Sequence, residues 1–400
     1  MVTRIPDGRD PLAAVAQAVA GVLGLGEQLV RERLARRLAA GWESGERDLV
    51  RALSLAAVRR DVEAMARALD VTAPALSRWA VAQGLAVGEA SGDVTVTDAR
   101  RRAPDLLVPR LDALALPVVT GLAVQDVQRR LDRALSDVTR SLTRGPDDLY
   151  RRAVSLSTQL GLVTGAPGER RAAAAWQVLV DSAAPPVVDS AGRRWSTSTY
   201  VEMATRTASR RAWDIGSEST MTAAGLDLVT IVVGSGACRQ CAQWAGKVLR
   251  RDAGPTGRQL VPSVTGSGLV VVEIEGTLDD ARAAGWRHPG CRCRPVAYLP
   301  GTRPAVDLTT YDPRAEEARA RLRALERRSR QWASRAQAAV TPELAAQARA
   351  RRRGVQAEIR DHVDRTGLVR QRRREQADLG LASRAPEVVS ARRAVEAALR

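Results

Sequence analysis

The sequence predicts an α+β fold: a helical N-terminal region, a small central α+β domain around a cysteine-rich cluster, and a basic helical C-terminal region. Three observations point there. Apolar residues recur at helical spacing toward both ends of the chain, and β-branched runs bounded by glycine lie in the middle. All four cysteines fall in that same middle stretch. The expected boundaries are 1–165, 170–301 and 312–400. A chain of 400 residues has room for two or three units, each able to bury a core.

The N-terminal region opens with an apolar stretch, residues 11–26, broken by Gln17. It reads as a buried helix. At that length it is too short to cross a bilayer, and with Asp7, Asp10 and Glu27 flanking it the stretch does not resemble a signal peptide. Leu29, Leu34 and Leu38 continue the helical spacing, and Leu49, Leu53, Val58, Val62 and Met65 repeat it. Between 73 and 104 the periodicity weakens, and Gly84, Gly88 and Gly92 read as turns. Helical spacing returns over 106–142, where Gly145-Pro146 ends it, and over 149–162, where 165–168 ends it.

In the central region, residues 226–233 (LDLVTIVV) and 269–274 (LVVVEI) read as strands, with a short third strand at 246–249 and a preceding helix at 200–216. Tyr200, Met203, Thr207 and Arg210 form a packing stripe on that helix. Trp195, Trp244 and Trp286 supply the bulk of a core that has no phenylalanine. From 313 to about 378 the chain is helical again, carrying Leu322, Leu325 and Trp332.

The net charge is +17, and Lys247 is the single lysine. Arginine for lysine, together with the missing phenylalanine, reflects base composition; the excess over acidic residues does not. It implies an acidic partner or polyanionic surroundings. Residues 312–400 hold 22 Arg against 12 Asp and Glu, with clusters at 351–353 and 372–374 as the first candidate contacts. His362, alone among charges, reads as exposed.

Cys238-Arg-Gln-Cys241 and His288-Pro-Gly-Cys291-Arg-Cys293 carry the chemistry. A Cys-x-x-Cys just after a strand aims two thiolates at one point, and Gly234-Ser-Gly236 offers the pliant backbone for that turn. Cys291 and Cys293, two apart in extended chain, share a face. A structural zinc needs four ligands and five candidates exist: Cys238, Cys241, Cys291 and Cys293, with His288 either outside the set or replacing a late cysteine. The bland alternative is free thiols or a labile disulfide, which a reducing cytoplasm disfavours.

Residues 189–195 (DSAGRRW), 200–207 (YVEMATRT), Trp244-Ala-Gly-Lys247, the His288 to Cys293 motif and Tyr298-Leu-Pro-Gly301 follow one another around the cysteines. In that order they resemble the phage minor capsid proteins, relatives of the MuF-like head morphogenesis proteins, over about residues 150–375. Residues 325–332 (LERRSRQW) are similar to that family's C-terminal region. Many relatives have histidine where this chain has Cys293, which implies a ligand role there. The resemblance implies a virion protein acting in head assembly and DNA packaging, made in the host cytoplasm. It would contact portal protein, capsid subunits and packaged double-stranded DNA, without enzymatic activity.

Two other classes compete. A zinc-ribbon nucleic-acid regulator would use Arg239, Arg292 and Arg294 beside the ligands. An ADP-ribosyltransferase would need Arg194, Ser196-Thr-Ser198 and Glu273-Ile-Glu275 in one cleft. No metalloprotease motif or Walker loop is present.

Overall fold

In a computed structural model the described residues are 10–43, 55–102, 116–164, 187–189, 192–233, 237–288, 291, 293–302, 311–377 and 383–398. The expected features at 46–54, 106–115, 165–168 and 234–236 lie outside them. The elements are α1 (Pro11–Glu43), α2 (Leu55–Arg102), α3 (Leu116–Thr164), β1 (Val187–Val188), β2 (Arg194–Trp195) and α4 (Thr197–Ala223). Next come β3 (Leu228–Val232), α5 (Arg239–Ala242), β4 (Val248–Arg250), β5 (Gly257–Pro262), β6 (Leu269–Thr277), α6 (Leu278–Ala283) and β7 (Arg294–Ala297). The chain closes with α7 (Pro313–Gln337), α8 (Pro342–Thr366), a 3₁₀ turn (Arg372–Glu375) and α9 (Pro386–Ala398). Helices at both ends and a small sheet in the middle are the α+β arrangement the sequence predicts.

Two units divide the chain, each assembled from separate stretches. One comprises Met1–Ala13, Ala80–Arg130 and Arg206–Ala318; the other comprises Ala14–Trp79, Leu131–Thr205 and Arg319–Arg400.

The first unit holds a five-stranded sheet in the order β5-β6-β4-β3-β7. β4 and β6 run parallel and the other neighbours antiparallel. Alternation along β3 sends Val229 and Ile231 to one face, with Leu249, Leu278, Ala281 and Trp286, and Leu228 to the other, with Val248, Val272 and Ile274. Gly84, Gly88 and Gly92 are not turns. They sit inside α2 at four-residue spacing, and a Cβ there would collide with the backbone of Ser209, the backbone of Trp213 and the side chain of Thr220. Gly216 on α4 answers them, a Cβ there falling 2.6 Å from the Leu85 carbonyl oxygen. The Ser209 hydroxyl donates to the Ala80 carbonyl at 3.0 Å, closing the contact between the two helices.

Among its described residues the second unit is helical apart from the β1–β2 pair, beside which Trp195 Nε1 donates to Asp189 at 2.9 Å. The apolar start of α1 is buried as expected, through Ala16, Val19, Val22 and Leu23. It is longer than the sequence suggested: Pro11–Arg33 is long and apolar enough, by length and composition alone, to cross a membrane, and 61% of its most apolar window is buried. Helix α3 runs straight through Gly145-Pro146, and from it Leu131, Leu135, Val138 and Leu142 line a buried stripe. In the C-terminal region the single expected helix is two. α8 starts afresh at the Thr341 N-cap, whose hydroxyl accepts from the Leu344 amide at 3.3 Å, and Leu322 and Leu325 of α7 pack with Val355 and Ile359 of α8. His362 is buried on α8, at 4% exposure, and not exposed as expected.

Candidate metal centre

The sheet explains how residues 50 apart in sequence meet. β3 and β7 are antiparallel neighbours with Val232 opposite Arg294. The chain leaving β3 and the chain entering β7 therefore lie at the same end of the sheet. Just beyond β3, Cys238 caps α5: its carbonyl accepts from the Cys241 amide at 3.1 Å and the Ala242 amide at 3.0 Å, bending the Cys-x-x-Cys into one turn. On the other side, α6 opens with a capping box between Thr277 and Asp280. It closes through Gly285 (φ 92°), and the Trp286 amide then bonds the Ala281 carbonyl at 2.9 Å. Arg287 follows with φ 66°, then His288, whose carbonyl accepts from the Cys291 amide at 3.0 Å. Cys293 immediately precedes β7.

All five predicted donors converge, in two triads that share Cys241. Cys238, Cys241 and His288 form one and Cys241, Cys291 and Cys293 the other, with donor atoms in each within 4.8 Å of one another. Cys238 Sγ lies 3.1 Å from His288 Nε2, and Cys241 Sγ lies 3.5 Å from Cys291 Sγ. None of the four cysteines is in a disulfide. Donors bound 2.0–2.3 Å from one tetrahedral ion would sit about 3.3–3.8 Å apart. The spacing and the thiol–imidazole chemistry fit such an ion.

The three buried thiols perturb one another. The Cys291 thiol is held well below the ordinary range by hydrogen bonds with Cys241 and Cys293. Hydrogen bonds with Cys291 and Cys293, together with burial, drive Cys241 far upward. Cys293 is pulled down by Cys241 but raised further by Cys291 and burial, to about 12. A divalent cation among three such thiols would favour ionisation of them all.

Apolar bulk closes the site. Trp286 is 1% exposed, and Trp244, Ile231, Val233 and Leu299 belong to the same cluster as the cysteines. Trp195 is elsewhere, tied to Asp189. Next to the cysteines lies a charged group that sequence reasoning missed: Arg287 is ion-paired with buried Asp214, and Arg210 lies 5.6 Å from the Trp213 ring. Burial pushes the Asp214 carboxyl up to about 7, against the pull of Arg287. No spacing rule marks such a group, because its members come from α4 and from a single left-handed residue after α6.

Arg194 and Ser196-Thr-Ser198 belong to the second unit, whereas Glu273 and Glu275 belong to the first. Both glutamates are exposed on β6, with Glu275 paired to Lys247 at 3.3 Å. Beside the ligands Arg239 is exposed, burial lowers the Arg294 guanidinium, and Arg292 lies outside the described residues.

Fold and centre together define a largely helical chain with one small α/β module, gathered at one sheet end by soft donors. The family model of phage minor capsid protein 2 matches residues 29–364, and the chain belongs to that family. It is accordingly a structural protein of a phage particle. The match begins well before residue 150, so most of the helical prefix belongs to the family region as well. No curated protein and no solved structure matches the chain.

Proposed function

We propose that the protein is a minor head component of a tailed phage whose α/β module is cross-linked by a structural zinc. The observation that carries the metal part is the convergence of Cys238, Cys241, His288, Cys291 and Cys293 where the chain leaves β3 and enters its antiparallel neighbour β7. Zinc would bridge the chain leaving β3 to the chain entering β7, with Cys241 common to either ligand set. When bound it supplies folding energy, because a centre whose four positions are all filled by protein leaves none for substrate.

The partners proposed are portal protein, capsid subunits and packaged double-stranded DNA, met in assembling heads in the host cytoplasm and then in the virion. Charge supports the DNA contact. Arg351, Arg353, Arg372 and Arg373 are exposed, and arginine neutralises phosphate without reading sequence. Not every arginine of those clusters is available. Arg374 is buried, and Arg352 donates to the Glu375 carbonyl at 3.3 Å. No catalytic role is proposed.

The test is to quantify the protein by mass spectrometry in purified particles before and after DNA release. A few copies per full head support the reading. Absence from full heads contradicts it.

A further inference from the structure

Arg287 immediately precedes His288 and is unusual in three respects. Among the described residues it is the one non-glycine with positive φ, at 66°. That conformation is strained for any residue with a Cβ. Its side chain is 8% exposed and ion-paired with Asp214, itself 9% exposed. The guanidinium lies 5.0 Å from the centroid of Trp286 and 5.7 Å from that of Trp213. Only one of its nitrogens meets Asp214; Nε and Nη1 are buried with no hydrogen-bond partner among the described residues. A buried cation with unspent donors on a strained backbone is costly to keep.

The neighbouring cysteines supply a reason. Trp286, whose ring the guanidinium faces, belongs to the same buried cluster as Cys241, Cys291 and Cys293. A divalent ion with three thiolates and one imidazole carries a net charge of −1, and with four thiolates −2. Such a charge inside an apolar cluster requires a fixed counter-cation.

We propose that Arg287 is a positioning residue of the metal centre, moored to Asp214 and held between Trp213 and Trp286. Its guanidinium balances the thiolate charge of the loaded site, and its left-handed backbone sets the turn that presents His288. This rests on the metal reading above.

The experiment uses the full chain at pH 8, above the value of about 7 for Asp214, so that the carboxylate is ionised. Zinc is competed between the protein and a chromophoric chelator for the wild type, Arg287→Gly, Arg287→Lys and Asp214→Asn. Melting temperatures are taken with and without zinc. Glycine accepts the left-handed backbone while removing the cation. The expected result is about one zinc per wild-type chain and about 10–100-fold weaker binding in Arg287→Gly and Asp214→Asn, with partial recovery in Arg287→Lys. The rise in melting temperature on adding zinc shrinks accordingly. A purely structural residue would instead lower the zinc-free and zinc-loaded temperatures alike and leave affinity unchanged, and that outcome overturns the inference. Should Arg287→Gly not fold, unchanged affinity in both Arg287→Lys and Asp214→Asn overturns it, and weakened affinity in them supports it. A wild type that binds no zinc removes the metal reading itself, a result distinct from zinc bound equally well by all four proteins.

Discussion

The guanidinium of Arg374 lies 3.2 Å from a Glu202 carboxylate oxygen and 3.8 Å from one of Glu326, with both partners largely buried. Burial raises the Glu326 carboxyl, and Arg374 is the chief opposing charge. The Glu375 carboxylate alongside takes two bonds from Arg370, each 2.6 Å. Removing one partner from such a group leaves buried charge uncompensated. Arg374→Ala is therefore expected to destabilise the C-terminal helices by about 3 kcal/mol, read from urea unfolding. Adding Glu202→Gln and Glu326→Gln should restore part of the loss; a single variant as stable as wild type would contradict the assignment. In sequence, Arg374 is the third of three arginines in a charged run and reads as surface. The burial of His362 was hidden by the same kind of charged neighbourhood. Cysteine was the legible residue type, because its rarity makes clustering informative and its spacing has a chemical meaning. Arg287 and Asp214 were not legible, since their pairing depends on a backbone conformation and on a helix 73 residues away.

The Gly84, Gly88 and Gly92 face of α2 allows α4 to approach to backbone contact. Each interior glycine costs roughly 0.5–1 kcal/mol of helix stability, and the close packing offsets it. Gly88→Ala, forced against Trp213, is expected to lower stability by about 1–3 kcal/mol. Gly121→Ala, on α3 with nothing within 4 Å of its Cβ, should instead raise it by roughly 0.5–1 kcal/mol. Thermal unfolding of the two variants checks the contrast, and equal effects would remove the packing account. In the sequence a glycine that permits helix contact looks the same as one that makes a turn, hence the misreading. The inner strands β3 and β6 were readable from β-branched runs, and the short strand read at 246–249 overlaps β4. β5 and β7 are the sheet edges, GRQLVP and RPVA, where one open side tolerates proline and polar residues and dilutes the signal. Gly145-Pro146 likewise looked like a stop, yet α3 continues past it.

At the scale of the whole molecule, the two units interleave along the chain, whereas composition shifts divide a sequence only into consecutive stretches. Exposed Leu260, Leu269 and Val271 on the β5–β6 hairpin show that the module keeps an apolar outer face beside a charged surface. In the proposed function a metal ion pins the module at the junction of β3 and β7. The most direct check combines metal analysis of freshly reduced protein with hydrogen exchange before and after a zinc chelator. The account predicts about one zinc per chain, faster exchange across 228–302 once it is stripped, and little change in the α7–α8 pair. Zinc-free protein whose module exchanges no faster in chelator would contradict it.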